Sequence, residues 1–347
     1  MEGAQGLSVT AADVFAQSGQ LARLDAAARA EIMANASRFT LDVGAVLFRQ
    51  GDVADALYIL ESGRLAIETR LPGDDSAALS PILPGEVVGE FALLDDAPRS
   101  ARVTAAAPSN GLRISRARFH ALLADAQPGT VQLAASLRRL VAARTRATLA
   151  RIAVEGRFEV SSLRRPVPPP SEPVPVAGDA PAILAGLGKL ADLGPDGAQA
   201  LAAPSRMVGF GRGQGLVTVA DGAPSTLWIV LRGALRASLP RPGGAEQISI
   251  HGPGECVNVI ALEDGAAPPL DIAAAEDCVL LAVPGEVLSP VLDPAATNDP
   301  SSASDWHGAL ALVLGRQLVR DQRRANRHLG RALALERFNS AGAGGRA

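Results

Sequence analysis

One pattern occurs twice in this 347-residue chain, and that duplication constrains its fold more than any other feature. Residues 57–65, LYILESGRL, are echoed by 227–235, LWIVLRGAL, at an offset of 170. Pro84-Gly85-Glu86 returns as Pro253-Gly254-Glu255, and Leu21-Ala22-Arg23-Leu24 as Leu190-Ala191-Asp192-Leu193, both at 169. Separated blocks hold a common offset only when the material between them corresponds too. The chain is therefore expected to fold as two copies of one domain.

Within each copy, short β-favouring segments alternate with turn residues such as Ser62-Gly63, Pro72-Gly73 and Pro84-Gly85. Many short strands between frequent turns indicate a sandwich or barrel. The expected class is mainly β with flanking helices, as two tandem jelly rolls. Helices are expected over residues 20–36 and 117–153, with Leu133, Leu137, Leu140, Val141, Leu149 and Ile152 on one face of the second. Arg138, Arg139, Arg144, Arg146 and Arg151 are expected on a solvated face of that helix. Prolines crowd residues 158–182 and can propagate neither helix nor ladder, so this stretch reads as a semi-rigid extended linker. The expected organisation is a first domain over 1–157, this linker, a second domain over 183–338 and a disordered tail over 339–347. Residues 304–338 read as one or two helices closing the second roll. Arg316, Arg320, Arg323, Arg324, Arg327 and Arg331 either cover apolar surface there with their long stems or dock an acidic partner.

Composition excludes several classes. Hydrophobic residues make up 48% of the chain and charged residues 20%, which supports packed cores. A formal charge of −3 offers no global attraction to nucleic acid or to an acidic membrane surface. No apolar run approaches the ~18 residues of a membrane span, and the first residues carry no basic start. Cys256 and Cys278 sit in no metal-spaced cluster and read as buried thiols. A cytoplasmic protein is expected, with no metal. His120, His251, His307 and His328 are scattered, and no kinase glycine loop, Walker motif or Gly-x-Ser-x-Gly elbow is present, so an enzyme is not expected.

The chemistry is concentrated in residues 89–101, GEFALLDDAPRSA. A carboxylate opens a short apolar turn and an arginine follows nine residues later. This stretch resembles the phosphate-binding cassette of the cyclic-nucleotide-binding domain family, which includes the catabolite activators and the kinase A regulatory subunits. Residues 48–52, 57–65 and 84–86 follow that family's order, and the resemblance covers residues 20–150. It implies a ligand site made of Gly89, Glu90, Phe91, Ala92, Arg99, Ser100 and Ala101. Glu90 would accept a hydrogen bond from the ribose 2′-hydroxyl, and Arg99 would grip the cyclic phosphate with its rigid donor fork. The turn after Gly89 would present free backbone N–H groups to the anion. In the family it resembles, the residue after the arginine helps select the base, so with serine rather than threonine at 100 the resemblance implies cyclic AMP over cyclic GMP. The resemblance also implies that the helix after the roll swings over the bound base.

The second copy lacks these groups. At an offset of 169, Asn258 stands for Gly89, Val259 for Glu90, Pro268 for Arg99 and Pro269 for Ser100, while Ile272 keeps the apolar character of Val103. A desolvated phosphate there would meet no compensating charge. The function expected is a cyclic-nucleotide sensor or regulatory protein with a competent first site and a degenerate second one. Its output would be an unidentified protein effector or its own homodimer. The alternatives are a scaffold using both rolls as interaction modules without nucleotide, and a nucleic-acid-binding regulator. No room is left for a helix-turn-helix, which disfavours the last.

Overall fold

The computed structural model describes residues 15, 19, 21–70, 76–155, 163–296 and 305–343. The chain divides into two compact units, 1–137 and 138–347.

In the first unit, helix α1 (Ala26–Asn35) starts where Asp25 Oδ1 accepts the Ala28 N–H at 2.7 Å. Strands β1 (Ser37–Leu41), β2 (Val46–Phe48), β3 (Ala56–Arg70), β4 (Ser76–Ile82), β5 (Val87–Val88) and β6 (Arg102–Ser115) form one antiparallel sheet, order β1-β6-β3-β4. β2 pairs with β6, and β5 with β3. The long strands β3 and β6 can serve both faces of the roll because their register shifts repeatedly between Leu60 and Leu65, around Gly63 at φ +94°. Phe48, Tyr58, Leu60, Leu65, Val88 and Val103 pack inside. The four-residue helix α2 (Phe91–Leu94) joins β5 to the segment before β6.

The helix expected over 117–153 is two helices, α3 (Arg116–Ala124) and α4 (Pro128–Glu155). Pro128 lacks an N–H and disfavours helical geometry in the residue before it, so the chain breaks, with Ala126 at φ +50°. The Glu31 carboxylate then caps the new N-terminus, accepting the Gly129 and Thr130 N–H groups at 2.8 and 2.9 Å. The division between the units falls inside α4, between Leu137 and Arg138.

The second unit repeats the roll in two sheets. One has the order β13-β10-β15-β8-β7 and the other β12-β11-β14-β9. Their strands are β7 (Val174–Pro175), β8 (Arg206–Phe210), β9 (Gly215–Val217), β10 (Thr226–Arg232), β11 (Leu235–Arg241), β12 (Gly244–His251), β13 (Cys256–Val257), β14 (Asp271–Ala274) and β15 (Cys278–Pro284). Helices α5 (Ala180–Ala185) and α6 (Gly194–Ala202) precede the roll, α7 (Val259–Asp264) interrupts it, and α8 (Gly285–Leu292) and α9 (Asp305–Ala343) follow.

The duplication extends to individual bonds. Leu60 N–H donates to Glu86 O at 3.0 Å and Gly85 N–H to Leu60 O at 2.8 Å; Val230, Glu255 and Gly254 repeat both distances. Core positions correspond as well, Leu65 with Leu235 and Val103 with Ile272.

Part of the expected linker is sheet edge. Arg164 exchanges two 2.9 Å backbone bonds with Ala245, Ser171 N–H donates to Gly215 O, and Val176 N–H to Met207 O. The prolines sit between these donors at edge positions, where their missing N–H leaves no ladder bond unmade. Gly215 admits the strap, since a Cβ there would lie 2.1 Å from Pro168 O. The expected tail behaves differently over its length: 339–343 continue α9, and 344–347 lie outside the described residues.

Candidate functional site

β5 delivers the chain to Gly89 at φ +82°. A Cβ there would lie 2.6 Å from Arg99 Nη1 and 3.0 Å from Ala56 O, so both dihedral and space demand glycine. Glu90 follows at the head of α2, 6% exposed and making no side-chain cap bond. Ala92, Leu93 and Leu94 turn inward, while Phe91 is half-buried. The turn does not leave all its N–H groups free as expected. Ala92 N–H bonds Gly89 O at 3.0 Å and Leu93 N–H bonds Glu90 O at 3.2 Å, because α2 closes its own first turn.

Arg99 returns to the same place from the other side of α2. Its N–H donates to Asp52 O and its carbonyl accepts the Gly51 N–H, both at 2.9 Å, which anchors the segment on the turn before β3. The guanidinium carbon lies 4.1 Å from the centre of the Phe48 ring and 5.8 Å from that of Tyr58. Nη2 donates to Asp55 Oδ1 at 3.1 Å, and Nη1 reaches Gly89 O at 3.5 Å. Nε is buried without a hydrogen-bond partner. Burial pulls the Arg99 pKa down from its ordinary value, while Tyr58, Asp55 and Glu90 pull it back. It remains a cation, as arginine does in proteins. Ser100 is exposed, its carbonyl accepting from Thr69 Oγ1 at 3.4 Å, and Ala101 is buried.

The structure therefore brings Gly89, Glu90 and Arg99 together and leaves Ser100 at the rim. Sequence reasoning missed Asp55, Arg113, Phe48 and Tyr58. Asp55 lies between two arginines, its second oxygen accepting from Arg113 Nη2 at 2.7 Å. Its position at the mouth of an apolar strand was a weak signal, because only pairing β3 with β6 sets Arg113 beside Tyr58. Arg116 and His120 were missed too; they brace α2 through Ala92 O at 2.8 Å and Leu93 O at 3.0 Å. The arrangement offers a buried, oriented cation with an unspent donor next to a buried carboxylate, which suits a ligand carrying both an anion and a hydroxyl.

The equivalent place in the second roll keeps the backbone and changes the chemistry. Asn258 adopts φ +74°, the left-handed geometry of Gly89, and α7 follows as α2 does. Here the cavity measures about 40 Å³ and is lined by Val257, Val259, Ile260, Pro268, Thr145 and Leu149 among others. Ligand pockets usually enclose about 300 Å³ or more.

The basic helix face also differs from expectation. Arg138 is fully buried, with Nε donating to Glu263 Oε1 at 2.6 Å, because it falls on the helix's apolar stripe and Glu263 supplies a counter-charge inside the second unit. Arg146 makes two bonds to Asp264, at 2.6 and 2.9 Å. On α9, Arg316 pairs with Asp192, and Arg324 with Glu255 at 2.9 Å, so these two serve closure of the second roll. Cys256 and Cys278 are buried free thiols, pushed by burial up to about 12 and about 11. Among the described residues no cluster of His, Cys, Asp and Glu could hold a metal ion, and no helix is long and apolar enough to cross a membrane.

A family model described as the cyclic nucleotide-binding domain matches residues 38–126 and again 210–293. The chain is similar to a cAMP-dependent protein kinase regulatory subunit of Dictyostelium discoideum, 38% identical over 82 residues, covering 23% of this chain and 25% of that protein. It is similar to the acetyltransferase Pat of Mycolicibacterium smegmatis, 42% identical over 80 residues, covering 23% and 24%. The matched stretch thus spans about a quarter of the length of these relatives. Among solved structures, the regulatory domain of Toxoplasma gondii PKA with cAMP aligns over 85% of this chain and 97% of that one, at 19% identity and a TM-score of 0.33.

Proposed function

We propose, since this chain belongs to the cyclic nucleotide-binding domain family and carries that domain twice, that its first roll binds one cyclic nucleotide and its second binds none. The observation that carries the reading is Arg99, a buried cation with aromatic rings beneath it and an unpartnered Nε, present in the first roll alone. Its fork would take the cyclic phosphate, displacing no internal bond from Nε. Glu90 would accept the ribose 2′-hydroxyl. Gly89, Phe91, Ala92, Ser100 and Ala101 would line the rest of the contact.

Cyclic AMP is the ligand we favour. The Dictyostelium relative is named for cAMP dependence, and Ser100 supplies a hydroxyl without a threonine's methyl to shape a guanine contact. Binding would reposition α4, and the output would be contact with a protein effector or with a second copy of the chain. In this reading the chain is a cytoplasmic regulator and performs no catalysis itself.

Calorimetric titration of the full chain with cyclic AMP and cyclic GMP tests this. One site per chain, tighter for the adenine nucleotide, is expected. Two equivalent sites, or none, would overturn the assignment of roles, and tighter binding of cyclic GMP would overturn the choice of base.

A further inference from the structure

The second roll's degenerate site is covered by α4. Residues 138–155 carry a stripe of Arg138, Val141, Ala142, Thr145, Leu149 and Ile152, all buried. Arg138 meets Glu263 of α7, and its Nη2 donates to Val291 O of α8. Arg139 donates to Leu292 O, and Arg146 holds Asp264 at the end of α7. Gln322 of α9 donates from Nε2 to Thr148 Oγ1 at 3.1 Å. At the far end, Arg241 of β11 donates to the Ile152 and Ala153 carbonyls at 2.7 and 2.6 Å, capping the helix C-terminus. Thr145 and Leu149 line the small cavity opposite Val259 and Pro268, the positions that replace Glu90 and Arg99.

We infer that the second roll has exchanged a nucleotide for a helix: its former ligand face is a receptor for residues 138–155, and this grip opposes nucleotide binding in the first roll. The polar groups lost from the site are those a nucleotide needs, whereas the groups gained, Glu263 on α7 and Arg241 on β11, both hold this helix, and Asp264, which stands for Asp95 of the first roll, holds it too. Release would return Val141, Leu149 and Ile152 to water, so the grip rests on apolar burial with the Arg138–Glu263 pair fixing its register. Residues 128–137 of the same helix belong to the first unit, tied to it through Glu31. One helix therefore answers to both rolls. A ligand moves such an element only by its differential affinity for the two positions, so whatever the second roll invests in holding 138–155 raises the nucleotide concentration required to move it. This step rests on the reading that nucleotide binding repositions α4.

The test uses the full chain with Arg146→Ala, a partly exposed contact whose loss leaves the buried pair in place, and with Glu263→Gln as the stronger variant, checked for folding by circular dichroism. Amide exchange across 138–153 should accelerate in Arg146→Ala without any nucleotide present. Cyclic AMP should bind it about 1.4- to 5-fold more tightly, and Glu263→Gln more tightly still. Unchanged exchange at 138–153 would overturn the receptor role. Unchanged or weaker nucleotide affinity, with exchange accelerated, would overturn the opposition while leaving the nucleotide site intact. Failure of the unsubstituted chain to bind either nucleotide would instead refute the nucleotide site, and the opposition with it.

Discussion

Both rolls bury arginines, yet they leave them in opposite circumstances. Arg99 of the first roll is 5% exposed, but its carboxylate partner Asp55 has a side chain 55% exposed and shared with Arg113. Its charge is oriented without being consumed. In the second unit, the counter-charges are themselves interior: the Glu263 side chain beside Arg138 is 0% exposed, and that of Glu255 beside Arg324 is 5% exposed. There the charge is spent on holding helices. Burial of an arginine thus says little by itself; the accessibility of its counter-ion shows how far its charge is already engaged.

The sharpest way to break this contrast is to remove one counter-ion from each roll. Glu263→Ala should destabilise the second roll by about 3–5 kcal/mol, since Arg138 would be left buried without its counter-charge. Asp55→Ala should cost about 1 kcal/mol or less, because water reaches that pair. Denaturant unfolding of both variants checks this, and equal losses would sink the distinction.

Acid should separate the rolls next. Glu255 is buried, which would raise its pKa, but bonds from His251, Arg324 and Lys189 hold the carboxyl well below its ordinary value of 4.5. A carboxyl depressed in the folded state contributes stability in full above its unfolded pKa, and loses it as pH falls toward the folded value. The second roll should therefore weaken progressively below about pH 4.5. Glu263 is raised by burial, with Arg138 offsetting, and so opposes this trend. The difference between the unsubstituted chain and Glu255→Gln isolates the residue, and the variant should show a flatter acid limb in melts followed against pH.

Ligand binding tests the contrast from the other side. Arg99→Ala should weaken cyclic-nucleotide binding at least ~10-fold, through loss of a charge-assisted contact worth about 1.5–3 kcal/mol. Pro268→Arg should add no second site in calorimetry, because Val259 still replaces Glu90 and Thr145 and Leu149 of α4 line that face.

The smallest effect concerns one backbone position seen twice. Gly89→Ala should cost about 1–2 kcal/mol from the left-handed dihedral, with crowding against Arg99 added. Asn258→Gly should stay within ~1 kcal/mol of the parent, since asparagine already tolerates that geometry. Thermal unfolding of the pair would show whether the two turns are as alike energetically as they are in shape.

The regions that were legible in the sequence share a cause. Gly89, Gly85, Gly254 and the apolar runs at 57–60 and 227–231 report on local dihedrals and on strands buried at nearly every position, which neighbouring residues dictate. Glu90 and Arg99 were legible because they stand nine residues apart in one short segment that resembles a known cassette. Asp55 and Arg113 were not, since 58 residues separate them and only strand pairing unites them.

Arg138 is the clearest case of a residue misjudged by composition. An arginine-rich helix reads as solvated, yet Arg138 keeps step with Val141, Thr145 and Leu149, so the periodicity already placed it among the buried positions. What the periodicity could not supply was the partner. A buried guanidinium is tolerable only against a buried carboxylate, and Glu263 lies 125 residues away, within a repeat whose own chemistry had been replaced. The proline stretch is parallel: its residues announce an extended chain, but whether that chain crosses solvent or closes a sheet depends on edges made elsewhere, at Ala245, Gly215 and Met207. By itself, the amino-acid order determined two rolls of one kind and which of them carries Glu90 and Arg99, because dihedral preference, apolar runs and short turns act over a few residues. Tertiary structure alone decided that the helix leaving the first roll would be held by the second, because pairing a buried charge is settled by whatever distant residue the fold sets beside it.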